Sequence, residues 1–173
     1  MKAPQKVFLV GPMGAGKTTI GRHLAKKLKL KFVDLDAEIE RSCGADIAWI
    51  FDVEGEDGFR KRESFLLDEL TNQPDVVLAT GGGAVLNPEN RRMLSSRGVV
   101  IYLKASVDQL YQRTRHDKKR PLLQVDDVRQ TIEDLLKKRD PLYSEVADVV
   151  FLTGNQSPPS VAESLEKELT KLL

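Results

Sequence analysis

Five short apolar runs, at residues 7–10, 32–34, 76–79, 99–103 and 149–152, recur along the chain with helical patterns between them. They lack the polar alternation of a strand with one wet face, so they read as strands covered on both sides. Buried strands alternating with amphipathic stretches predict an α/β fold built on a mainly parallel sheet. Ile20, Leu24 and Leu28 recur at every fourth residue after the first run, and residues 59–70 carry Phe59, Leu66, Leu67 and Leu70 among charges. Residues 128–138 and 161–172 give two further amphipathic helices, and Asn87-Pro88 reads as a cap followed by a first-turn proline. The irregular stretches 11–18, 80–85, 115–124 and 153–159 are where chemistry is expected.

The 173 residues suit one domain, residues 1–173, with no repeat or linker dividing it. Lysine plus arginine number 27 against 26 acids, a formal net charge of +1 that argues against bulk attraction to nucleic acid or membrane. The lone Cys43 cannot form an internal disulfide and reads as a small buried side chain more readily than as a reactive thiol. Residues 7–10 are far too short for a signal segment or a membrane span, so a cytoplasmic protein is expected.

Between the first run and its helix stands Gly11-Pro12-Met13-Gly14-Ala15-Gly16-Lys17-Thr18, a full match to the P-loop pattern. Glycines let the backbone curl until successive N–H groups face one concavity, and the following helix adds its positive end there. Lys17 is expected on the β- and γ-phosphates of ATP, and the Thr18 hydroxyl on Mg²⁺. A glycine-rich turn with a solvent-facing lysine is the plain alternative. It lacks a reason for the strand and helix that flank the pattern.

A second acid, to orient the hydrated metal, is absent after residues 76–79, which run into Gly81-Gly82-Gly83. The substitute is Asp34-Leu35-Asp36: strand alternation would send both acids to one side, one toward metal waters and one toward an acceptor hydroxyl. The competing reading has Asp36 capping a helix that begins near Ala37, with Asp34 in a salt bridge.

Residues 11–22, Asp34-Leu35-Asp36, Gly58-Phe59-Arg60, Gly81-Gly82-Gly83, Arg120-Pro121-Leu122-Leu123 and Arg139-Asp140-Pro141-Leu142-Tyr143 stand in an order that resembles the shikimate kinases, over nearly the whole chain. Asp52-Val53-Glu54-Gly55 and Lys118-Lys119-Arg120-Pro121-Leu122-Leu123 are similar to the type I bacterial enzymes in particular. The resemblance implies a three-layer α/β/α fold like that of nucleoside-monophosphate kinases, with a five-stranded parallel sheet. It implies transfer of the γ-phosphoryl group of ATP to the 3-hydroxyl of shikimate, in the making of aromatic amino acids.

Residue by residue, it implies that Gly14, Ala15, Gly16, Lys17, Thr18 and Thr19 hold the ATP phosphates, with Thr18 on Mg²⁺ directly and Asp34 through water. Asp36 meets the ring hydroxyls, Arg60 and Arg139 grip the carboxylate, and Gly82 offers a backbone contact. A mobile lid, approximately 113–125, brings Arg120 onto the phosphates, while a segment of approximately 34–62 binds the acid. Arg113 and Gln156 flank the adenine. Lys17, Asp36 and Arg120 form the expected catalytic set, acting in a monomer without nucleic acid or membrane.

Elementary chemistry agrees: an arginine's planar fork suits a carboxylate better than a lysine's point charge does. Phe51 and Phe59, with Trp49, are candidates to wall an apolar face of the ring, although core packing is the commoner fate of aromatics. The basic run 113–120 reads plainly as a solvated loop, and as a nucleic-acid patch it lacks interleaved aromatics. Two rivals are a kinase for gluconate or a nucleoside monophosphate, and a nucleotide-binding regulatory module without turnover.

Overall fold

Side chains along a buried strand must satisfy two covered faces at once, and in the computed structural model those of the three central strands do, whereas Val150 and Leu152, on the last strand at the sheet's edge, stay exposed on one face. The structure describes residues 4–116 and 121–172. Strands β1 (Lys6–Val10), β2 (Lys31–Asp34), β3 (Val76–Ala79), β4 (Val99–Lys104) and β5 (Val149–Leu152) form one five-stranded sheet of order β2-β3-β1-β4-β5, parallel throughout. Phe8 stands in register between Leu78 and Val100, and Leu9 between Ala79 and Ile101.

Alternate residues point to opposite layers. Phe8, Val10, Leu78, Val100 and Tyr102 enter one core, and Val7, Leu9, Val77, Ile101 and Leu103 enter the other. The first core is closed by α2 (Leu35–Cys43), α3 (Ile47–Thr71), α4 (Pro88–Arg97) and the end of α6 (Val128–Val146). The second is closed by α1 (Lys17–Leu28), α5 (Val107–Thr114), α7 (Pro158–Lys171) and the first half of α6. The result is the expected three-layer α/β/α sandwich. Among the described residues no helix is long and apolar enough to cross a membrane.

All five anticipated strands form, each within a residue or so of its apolar run. Asn87 caps α4 with Pro88 at its first position, as its dipeptide predicts. The helices depart from expectation in extent. The pattern over residues 59–70 is only the second half of α3, which begins at Ile47 and is broken at Gly55 (φ 75°, ψ 176°). At Gly55 a left-handed φ interrupts the ladder and turns the preceding helical turns toward the cleft. Helix α6 runs past the expected end through Pro141 to Val146. Helices α2 and α5 are short, with few apolar positions, and their signal was a cap: Ser106 and Gln109 close a capping box on α5.

The chain leaves β1 toward β2 and β3 on one side, and β4 lies on the other. The carboxyl ends of β1 and β3 therefore open onto a crevice, the usual ligand site of open α/β sheets.

Candidate active site

From the end of β1 the backbone turns into the phosphate-binding loop, and Gly16, at φ 95°, becomes the N-cap of α1. A side chain there would strain the turn that aims the first free N–H groups of the helix into the cleft. Lys17 follows at once, and its Nζ donates to the carbonyls of Gly11 at 2.6 Å and Pro12 at 2.9 Å. The ammonium thus lies across the loop it is expected to serve. Thr18 Oγ1 donates to Asp34 Oδ2 at 2.6 Å.

The two expected partners of Mg²⁺ are therefore in contact, although they come from α1 and the end of β2. The way Asp34 arrives differs from the expectation. Strand β2 ends at Asp34, which is itself the N-cap of α2: its Oδ1 accepts from Ala37 N at 3.1 Å. Asp36 then lies in the first helical turn, so Asp34 reaches the cleft from the end of the strand and Asp36 from the helix, and strand alternation does not carry both. The capping role considered for Asp36 belongs to Asp34, and Asp34 is held by Thr18 and a backbone N–H in place of a salt bridge.

The cleft, about 280 Å³, joins the phosphate loop to the expected acceptor end, lined by Asp36, Arg60, Glu63, the glycine triplet and Arg139. Phe51 and Phe59 wall it, with ring centroids 4.8 Å apart. Trp49 does not: its side chain is 49% exposed and outside the lining, because Trp49 falls on the solvent side of the first turns of α3. Helix α3 presents Arg60, and α6 presents Arg139, which is only 5% exposed. Their convergence needs the glycines. A Cβ on Gly83 would sit 2.4 Å from Arg60 Nη2, and one on Gly81 would sit 2.8 Å from Asp36 Oδ1.

Glu63 is the member that sequence reasoning missed. It looks like one charge among many on α3, yet Phe59, Glu63, Leu67 and Leu70 form a single buried stripe at helical spacing, and Glu63 is 1% exposed. That placement on an apolar stripe was the available signal. Glu63 Oε1 accepts from Arg60 Nη1 at 3.0 Å, while its Oε2 is buried without a hydrogen bond. Burial pushes its carboxyl up to about 7; Arg60 and Arg139 oppose that shift and Asp36 adds to it.

The sign follows from proton binding. Between the ordinary value of 4.5 and about 7 the folded chain holds a proton that the unfolded chain has lost. The stabilisation is thus complete below pH 4.5 and is lost as pH rises through 7, by about 3 kcal/mol in all. Urea unfolding of the parent and of Glu63→Gln across pH 5–8 should show a shallower pH slope in the variant. Parallel slopes would remove Glu63 as the source.

At the opposite end, Arg113 Nη1 donates to Gly14 O at 2.9 Å, and Nη2 reaches Gly154 O at 3.5 Å. Arg113 so ties the phosphate loop to the loop that carries the exposed Gln156, where the two were expected to flank the adenine. Arg120 lies outside the described residues. The adjoining Pro121 and Leu122 line the cleft.

Phosphate loop, acceptor pocket and doubly wound sheet together define a P-loop kinase for a small molecule. Within that class the relationships are specific. The family model described as shikimate kinase matches residues 13–170. The shikimate kinase of Pasteurella multocida (strain Pm70) is 59% identical over 166 residues, 95% of each chain. A structure described as shikimate kinase from Acinetobacter baumannii in complex with shikimate is 50% identical, with a TM-score of 0.97 over 99% of this chain and 96% of that one. A gluconokinase from Sinorhizobium meliloti 1021, 16% identical with a TM-score of 0.64 over 99% of this chain and 95% of that one, shares the fold alone. The chain belongs to the shikimate kinase family.

Proposed function

We propose that the cleft transfers the γ-phosphoryl group of ATP to the 3-hydroxyl of shikimate, giving shikimate 3-phosphate and ADP, a step toward aromatic amino acids. The observation that carries this reading is the convergence of Asp36, Arg60 and Arg139 in one cleft with the phosphate loop. Arg60 and Arg139 bind the acid's carboxylate, and Gly82 contacts it through the backbone. The ring lies against Phe51 and Phe59, and Asp36 orients the hydroxyl and takes its proton as the new P–O bond forms. Lys17 and the loop N–H groups bear the charge on the phosphates, so positioning and charge neutralisation do most of the work.

Mg²⁺ fits the donor set at Thr18 and Asp34: a hydroxyl and a carboxylate in contact are hard oxygen donors, too few for a full cage. That suits a cation that keeps waters and takes the remaining ligands from phosphates. When bound, it would neutralise charge on the phosphates. Arg120, within the lid segment of approximately 113–125, is assigned to the same task, and residues 34–62 to holding the acid. Arg113 and Gln156 serve the adenine. The working form is taken as a single chain in the cytoplasm, with Cys43 a half-buried thiol packed against the core.

Coupled ADP release, measured with ATP and Mg²⁺ plus shikimate, gluconate or a nucleoside monophosphate, tests the reading. Release that depends on shikimate is the expected result. Turnover of gluconate or a monophosphate with none of shikimate would overturn it, and ATP binding without turnover of any acceptor would favour a regulatory module.

A further inference from the structure

Tyr143 lies one helical turn beyond Arg139 on α6, so the two side chains share a face. It is fully buried, and its ring packs on Tyr102 with centroids 4.9 Å apart. Its hydroxyl donates to the carbonyl of Gly82 at 2.5 Å, across 61 residues of sequence. Burial pushes this phenol up to about 12, so the donating proton stays in place at neutral pH.

A carbonyl only accepts and a guanidinium only donates, whereas a hydroxyl does both. With its proton committed to Gly82 O, the phenol oxygen has its lone pairs left toward the Arg139 guanidinium, whose positive charge acts on it. Arg139 Nη1 in turn would stand 3.4 Å from a Cβ on Gly82. One buried oxygen therefore lies between a backbone group and a side chain that both face the acceptor end.

We infer that Tyr143 is a positioning residue for the acid substrate, its hydroxyl fixing Gly82 and Arg139 relative to each other before the carboxylate arrives. The inference rests on the assignment of shikimate to this cleft. Tyr143 touches no reacting atom, and the phosphate loop is held without it. Losing the hydroxyl should accordingly be felt by one substrate and not by the other.

Tyr143→Phe keeps the ring and its packing on Tyr102. The expected result is a KM for shikimate raised roughly 5- to 20-fold, with the KM for ATP within about twofold of the parent. In an Arg139→Ala background the same substitution should add less than about twofold, because the two residues act as one unit. Tyr102→Phe is the control: it removes another buried hydroxyl of the same stack, bonded to Asp140 at 2.7 Å, and should leave the KM for shikimate unchanged.

An unaltered KM for shikimate in Tyr143→Phe overturns the inference. So does an equal rise in Tyr102→Phe, a parallel rise in the KM for ATP, or full additivity with Arg139→Ala. Should Tyr143→Phe not accumulate folded, calorimetric titration of shikimate into Tyr143→Leu against the parent carries the same comparison. A parent enzyme that does not turn over shikimate would remove the substrate assignment itself, a failure distinct from normal saturation of the variant.

Discussion

Asp36→Asn is expected to lower kcat by about 10²- to 10⁴-fold, the range for losing a positioned proton acceptor, with ATP affinity altered less than about threefold. Asparagine keeps the size of the side chain and can still hydrogen-bond a hydroxyl, but it takes up no proton. Asp36 faces the cleft from the first turn of α2, at the end assigned to the acceptor, whereas ATP is assigned to Lys17 and the loop backbone. The two effects should separate for that reason. Steady-state kinetics with shikimate and ATP varied in turn decide the matter, and an unchanged kcat removes Asp36 from the mechanism.

Arg139→Ala is expected to raise the KM for shikimate by roughly 30- to 1000-fold, corresponding to ~2–4 kcal/mol for a buried charged contact. Arg139 is nearly enclosed, and without it a bound carboxylate would stand in a low-dielectric pocket beside Glu63 and Asp36 with half its compensating charge gone. Arg60→Ala acts in the same direction and more weakly. The Arg60 side chain is 21% exposed and already divides its guanidinium between Glu56 at 3.2 Å and Glu63 at 3.0 Å. If Arg139→Ala saturates with shikimate as the parent does, the carboxylate does not bind there.

Much of this arrangement was legible before any coordinates, and the reason differs from part to part. The central strands were plain because parallel strands covered on both faces leave uninterrupted apolar runs; the run of β5 read the same way, yet Val150 and Leu152 face outward at the sheet's edge. The phosphate loop was plain because its chemistry is local: glycines, a lysine and a hydroxyl within eight consecutive positions. Asp36, Arg60 and Arg139 are distant in sequence, and the family resemblance alone brought them together.

What stayed hidden depends on tertiary environment. Glu63 is an ordinary surface acid by composition, and only its place on the buried stripe of α3 sets it apart. The exchange of roles between Asp34 and Asp36 turned on where β2 stops, and a boundary shift of one or two residues exceeds what pattern reading resolves. The break at Gly55 had no periodic signature, since the short turns before it carry too few apolar positions to show a stripe.

Gly81-Gly82-Gly83 has a consequence for any molecule made to block this cleft. None of the three carries a side chain, and a Cβ on Gly81 or Gly83 would crowd a different functional group, Asp36 Oδ1 at 2.8 Å or Arg60 Nη2 at 2.4 Å, while one on Gly82 would meet Arg139 Nη1 at 3.4 Å. An inhibitor that takes its contacts from this stretch of main chain meets a surface that substitution reshapes only by displacing those side chains. Any residue that pushed the inhibitor out from there would press on a side chain assigned to the acid substrate, so under that assignment resistance and activity would be set against each other at these positions.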